Sequence, residues 1–253
     1  MIVLPMAGLS SRFFKAGYDI PKYMLDLHGQ STFLHALNSF RAFFGCETIL
    51  IICRADYGTP DFVRAECLRA GLSEADVQLV VLDHETAGQA ETVSLGLERA
   101  NADPAEPLTI FNIDTFRPGF AHPTVFDLPR IDGYVEVFRG PGTHWSFVRP
   151  DLSEPAAFRA AEVAEKTRIS DLCSTGLYYF RDIALFQRLY APIAKKDPAT
   201  LQGGERYIAP LYNDAIGMGL DVRYALIDAT DVQFCGTPEE YDALRATPYP
   251  TNQ

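Results

Sequence analysis

Leu4-Pro5-Met6-Ala7-Gly8-Leu9-Ser10-Ser11-Arg12-Phe13, with Pro21-Lys22 shortly downstream, decides how this 253-residue chain is read. The residues before it, Met1 to Leu4, are all apolar, as in a buried first strand that hands its C-terminal end to a loop. Ala7, Gly8, Leu9, Ser10 and Ser11 make that loop from small residues. Gly8 lets backbone amides approach an anion, the two serine hydroxyls can donate to phosphate oxygens, and Arg12 and Lys22 supply positive charge. The combination suits a nucleoside triphosphate. It is neither the common P-loop, for no G-x-x-x-x-G-K-[ST] string is present, nor the dinucleotide fingerprint, whose G-x-G-x-x-G spacing is missing. A plain βα turn with surface charges has the same appearance, so the reading depends on what joins it.

Outward from the loop, strand and helix signals alternate. A short strand is expected at Tyr23 to Leu27, then a helix capped by Ser31 or Thr32 with Phe33, Leu37 and Phe40 on its apolar face. A β-branched strand is expected from Cys46 to Cys53, a helix ending at Ala70 before Gly71, a strand from Val77 to Leu82, a helix from Gln89 to Ala100 and a strand from Leu108 to Ile113. This is an α/β pattern: a Rossmann-like, mostly parallel central sheet with helices on both faces. Beyond it, strands are expected at Gly133 to Phe138, Phe158 to Val163 and Thr175 to Phe180, separated by turn-rich loops that would add an antiparallel and lid region. A helix from Glu205 to Met218 and a strand from Val222 to Ile227 follow. Thr237-Pro238-Glu239-Glu240 then announces a capped final helix. The expected organisation is one domain, 1–248, with a nucleotide-binding half (1–115), an acceptor-binding half (116–248) and a loose tail (249–253).

Composition narrows the partners. Twenty-two basic against 33 acidic residues give a net charge of −11, which disfavours a nucleic-acid backbone or an anionic membrane surface. The five cysteines form no C-x-x-C pair and read as reduced thiols. No basic-then-apolar leader opens the chain and no apolar run approaches the roughly 18 residues of a membrane span, so a cytoplasmic setting is the expectation. A homo-oligomer is compatible with all of this.

Two further constellations fall beyond the carboxyl ends of strands, where open α/β sheets bind ligands. Gly88-Gln89-Ala90 opens a helix: Gly88 would let a flat ring lie close to the backbone, and the Gln89 amide could pair with a base edge. Asn112-Ile113-Asp114 ends an apolar strand, a position from which Asp114 could hold a Mg²⁺ that bridges phosphate oxygens. An exposed glutamine at a helix start and an Asx turn are the plainer alternatives. Trp145, beside His144, could stack on a ring or simply pack.

In their order these pieces resemble the sugar-phosphate nucleotidyltransferases, such as glucose-1-phosphate thymidylyltransferases. The opening L-A-G-G-x-G-[ST]-R with a downstream P-K is matched by Met6-Ala7-Gly8-Leu9-Ser10-Ser11-Arg12 and Pro21-Lys22, the base-contacting G-Q-A by Gly88-Gln89-Ala90, and the metal aspartate of N-x-D by Asp114. E-K-P is similar to Glu165-Lys166-Thr167, and G-[IL]-Y to Gly176-Leu177-Tyr178. The resemblance implies a Mg²⁺-dependent enzyme of nucleotide-sugar or polysaccharide biosynthesis. It would join an NTP, with a pyrimidine base expected, to a sugar 1-phosphate or another small phosphate. Arg12, Lys22 and Asp114 would be catalytic. Lys166 would hold the acceptor phosphate, Glu165 would contact the acceptor, and Gly176 would line its pocket.

Two departures stand out. Ser10 replaces the second glycine, which is tolerable if its φ stays negative. Phe234 replaces the second metal carboxylate that relatives carry before G-T-P-E, so Asp228 or Asp231 would have to reach the ion, or Asp114 hold it alone. A glycosyltransferase using a nucleotide sugar and a non-catalytic nucleotide-binding regulatory domain remain the alternative readings.

Overall fold

Alternation along the first strand sets the layers. In β1 (Ile2–Met6), Ile2, Leu4 and Met6 join one apolar cluster and Val3 joins another, because successive side chains leave opposite faces of a strand. The structure, a computed structural model, describes residues 1–73 and 75–247, so the expected tail at 249–253 lies outside the described residues. Parallel to β1 run β2 (Ile49–Arg54), β3 (Val77–Leu82) and β4 (Leu108–Phe111), in the spatial order β4-β1-β2-β3. Between them come α1 (Ser11–Lys15), α2 (Thr32–Asn38), α3 (Thr59–Ala70) and α4 (Gln89–Arg99). The Ser31 hydroxyl caps α2 by accepting from Leu34 N–H, and α3 stops at Gly71, whose φ of +87° is left-handed. The strand opens each loop at the same edge of the sheet, which is what gathers the Gly8, Gly88 and Asp114 segments.

The second half extends the same sheet. It contributes β5 (Gly133–Arg139), β6 (Ser146–Pro150), β7 (Ala160–Glu165), β8 (Leu172–Phe180) and β9 (Val222–Leu226), for nine strands in all. The seam is β8, antiparallel to β4 and β5, while β7 pairs with β6 and β9 runs parallel to β5. Three helices, α5 (Ile183–Ala194), α6 (Leu211–Gly217) and α7 (Pro238–Ala246), complete the chain. On α7 both halves of the capping box form between Thr237 and Glu240. Among the described residues no helix is long and apolar enough to cross a membrane. All five cysteines are free, and four are buried.

Several expectations are corrected. The first strand continues through Pro5 to Met6. Proline is accommodated there because β4 pairs only with Ile2 and Val3, so the ladder on that side has ended before Pro5. Tyr23 to Leu27 is a 3-10 turn, Lys22–Met24, followed by two strand residues, Asp26–Leu27. The helix expected from Glu205 begins only at Leu211, since Pro210 disfavours helical backbone at Ala209. The β7 strand starts at Ala160, two residues late, because Phe158 takes a left-handed φ of +54°. Neither β6 nor α5 was foreseen. Pro192 lies inside α5 and masks an otherwise plain signal, in which the Asp182 carboxylate caps the helix by accepting from Leu185 N–H.

Candidate active site

Two cavities meet beyond the carboxyl ends of β1 and β4, beside the Ser174–Tyr178 stretch of the antiparallel β8. The larger, about 630 Å³, is lined by Ala7, Gly8, Leu9 and Ser11 from the first loop, Lys22, Gly88 and Gln89 from the start of α4, and Asn112 and Asp114 after β4. The smaller, about 170 Å³, is lined by Arg12, Ser146, Glu165, Gly176, Tyr178, Tyr207 and Phe234 among others. Gln89, Asn112 and Asp114 belong to both. They form the shared wall.

At that wall Lys22 Nζ stands 2.6 Å from Asp114 Oδ2. Burial pushes the Asp114 carboxyl up, but Lys22, with Arg12 beyond it, pulls harder and leaves it below the usual carboxylate range. Asp114 is therefore an anion held between cations, facing both cavities. Beside it Gln89 Nε2 donates to Asn112 Oδ1 at 2.5 Å, which fixes the amide and leaves its carbonyl end to meet a ligand donor. Among the described residues, apart from its two chain neighbours, nothing lies within 4 Å of where a Cβ on Gly8 would stand, so the space beside its α-carbon belongs to the cavity. Were this loop to hold the expected nucleotide, Gly8→Ala would weaken its binding by about tenfold, measured by calorimetric titration, with the melting temperature unchanged.

The structure gives other residues different tasks from those expected. Gly88 is glycine because of Arg206: a Cβ there would stand 2.6 Å from Arg206 N, and the φ is +142°. Arg206 N–H donates to Ala87 O and Ala90 N–H to Arg206 O, both at 2.8 Å, so backbone fills the side of Gly88 where a Cβ would stand, while the residue still lines the larger cavity. Gly176, φ +86°, interrupts the β8 register between Ser174 and Tyr178, and a Cβ there would meet the Asn112 side chain at 2.4 Å. Ser10 adopts φ +52°, so the negative φ under which serine would replace glycine without strain is not met. Ser10, Lys166, Asp228 and Asp231 are not among the described residues lining either cavity. Lys166 Nζ instead lies 4.5 Å over the Tyr207 ring, with its ammonium donating to the Tyr207 hydroxyl. Asp228 accepts from Thr230, and the Asp231 carbonyl accepts from Arg117.

The position of the missing carboxylate is filled by aromatic packing. Phe234 pairs with Thr115 in a short antiparallel ladder beside Asp114, and its ring centroid lies 4.5 Å from Trp145 and 4.9 Å from Phe138. Trp145 thus packs and also lines the smaller cavity. Opposite, the Ser146 hydroxyl donates to the buried Glu165 carboxylate. Burial raises the Glu165 carboxyl above its ordinary range, against the Ser146 hydrogen bond and Lys166, and burial likewise pushes the Tyr178 hydroxyl up to about 12. A carboxyl raised by folding favours the folded state most when protonated, below its unfolded value of about 4.3, and that advantage is lost as pH rises through the folded value. Glu165→Gln should therefore melt higher than wild type at pH 7, the gap closing as the pH falls below about 4. A melting series against pH checks this. Ser146, Tyr178, Tyr207, Phe234 and Glu240 line this cavity from five separate segments, and no local motif could have assembled them.

The fold as a whole is shared with known structures. The chain is 45% identical, with a TM-score of 0.90 over 98% of its length and 100% of the other, to a nucleoside-diphosphate-sugar pyrophosphorylase from Vibrio cholerae RC9. The chain is a sugar-phosphate nucleotidyltransferase. The same fold recurs in a glucose-1-phosphate thymidylyltransferase described as putative from Bacillus anthracis, 16% identical with a TM-score of 0.71 over 99% and 96% of the two chains. It recurs again in the inositol-1-phosphate CTP transferase of T. maritima, 15% identical with a TM-score of 0.69 over 96% and 93%. No protein-family model and no curated protein matches the sequence. As in other α/β nucleotide-binding sheets, this nucleotidyltransferase places its cavities at the carboxyl ends of the strands.

Proposed function

We propose that the larger cavity binds an NTP with a pyrimidine base and the smaller one a small phosphorylated acceptor, and that the two react at Asp114. The observation that carries this is the Lys22–Asp114 pair at the wall common to both cavities. The reaction is in-line attack of an acceptor phosphate oxygen on the α-phosphorus, with pyrophosphate leaving. The nucleophile is already an anion, so alignment and charge neutralisation suffice. Arg12 faces the smaller cavity and Lys22 the larger, so cations lie on both sides of the reacting phosphates. Gln89 offers its amide to N3–H of uracil or thymine or to the amine of cytosine. Glu165 with Ser146 accepts hydroxyl or amine donors of the acceptor, and the Trp145–Phe234 wall covers its apolar side.

The donor set fits Mg²⁺, which takes hard oxygens and uses one or two carboxylates plus substrate phosphates. Asp114 would be the carboxylate that holds it; among the described residues no group of three or more His, Cys, Asp or Glu is gathered to hold a metal. When bound, such an ion supplies further neutralisation of the triphosphate. Each of the four common NTPs, crossed with pooled sugar 1-phosphates and pooled amino-alcohol phosphates in the presence of Mg²⁺, tests the reading by pyrophosphate release. One pyrimidine nucleotide with one pool is the expected result. Nucleotide binding without pyrophosphate from any combination contradicts it.

A further inference from the structure

We propose that Ser10 is a positioning residue whose hydroxyl anchors the backbone of Lys22 and so sets where the ammonium group meets Asp114. The inference rests on the reading of Lys22 and Asp114 given above.

Ser10 stands at φ +52°, ψ +27°, a left-handed conformation that glycine takes freely and that costs other L-residues roughly 1–2 kcal/mol. The position precedes α1, yet the Ser10 side chain does not cap that helix. Its Oγ accepts instead from Lys22 N–H at 3.1 Å, twelve residues away. On the other side of the same residue, the buried Thr32 hydroxyl donates to Lys22 O at 2.6 Å. Both backbone polar groups of Lys22 are thus held by side chains, one from each flanking segment.

A lysine ammonium swings on a flexible four-carbon stem, and ordering it costs rotamer entropy. Fixing the stem's base narrows where the head can go, and here the head reaches Asp114 Oδ2 at 2.6 Å. Glycine at position 10 would relieve the backbone but could not accept the hydrogen bond. Strain retained beside a site, where a cheaper residue exists, points to a task for the side chain.

The variants are Ser10→Gly, which relieves the strain and removes the hydroxyl, and Ser10→Ala, which keeps a Cβ and removes the hydroxyl. Brief amine acylation at neutral pH, followed by peptide mass analysis, reads the accessibility of Lys22 with Lys15 as internal reference. The expected result is Lys22 acylation about three- to tenfold faster in both variants, with Lys15 unchanged and the melting temperature of Ser10→Gly at or above wild type. A wild-type Lys22 rate in either variant overturns the proposal, because the hydroxyl is then not what holds the lysine. This arm needs no substrate, so it stays decisive even if the proposed reaction fails. In the pyrophosphate assay, Ser10→Gly should lower kcat/KM by about three- to tenfold and have no further effect in a Lys22→Met background. Additive losses would show that Ser10 acts by another route.

Discussion

Asp114→Asn should lower pyrophosphate formation by about a hundred- to a thousandfold or more while leaving the melting temperature close to wild type. The size follows from removing the only carboxylate common to the two cavities among the described residues, a loss comparable to deleting a preorganised charge that contacts the reacting groups. The fold should persist because the Asp114 backbone carbonyl, which accepts from Cys235 N–H at 2.8 Å, is untouched. Asparagine also keeps an oxygen for Lys22. Steady-state rates beside a thermal melt check both halves. Near-normal turnover would remove Asp114 from the chemistry, and a collapsed melting temperature would make its role structural.

The second large effect is on stability. Gly88→Ala should cost about 3 kcal/mol or more, because two penalties coincide. The backbone at φ +142°, ψ 177° lies in a region essentially restricted to glycine, and the added Cβ would stand 2.6 to 2.9 Å from three backbone atoms of Arg206. Those atoms cannot yield as the end of a side chain could: Arg206 is fixed by its own backbone bonds to Ala87 and Ala90 and by a 2.7 Å bond from Nη1 to Glu91 Oε1. For a chain of this size the loss corresponds to a melting temperature lower by about 6–12 °C. Calorimetry measures it. A variant as stable as wild type would mean that the Arg206 segment moves aside, and that Gly88 serves the ligand after all.

What could be read in the sequence, and what could not, divides along physical lines. The parallel half was legible because each strand is a short apolar run closed by a turn residue or a cap, and Ser31, Gly71 and Thr237 act in the structure as their residue types suggest. Val77–Leu82 emerged with its boundaries unchanged. The antiparallel half was less legible. Ser146–Pro150 sits between Gly140-Pro141-Gly142 and Pro150-Asp151 and looks like loop until β7 and β8 are there to pair with it. The glycines carry a second constraint that the sequence does not show: Gly88 and Gly176 line the two cavities, and their absent Cβ atoms also make room for Arg206 and Asn112. Of the smaller cavity, Arg12, Gln89, Asp114, Glu165 and Gly176 were named as site residues, and Trp145 as one that could stack or pack. Its aromatic wall depends on Phe138, Trp145 and Phe234 meeting across nearly a hundred residues of chain, a contact that no periodicity encodes.

The proposed reaction bonds a phosphate oxygen of the acceptor to the α-phosphorus of the NTP at Asp114. The measurement that tests it most directly uses an acceptor carrying ¹⁸O in its phosphate group, with the products separated and weighed by mass spectrometry. The label is expected to stay with the acceptor in a new nucleoside diphosphate compound, and the pyrophosphate released in equal amount to carry none. Release of free nucleoside diphosphate, or label in the pyrophosphate, would contradict it.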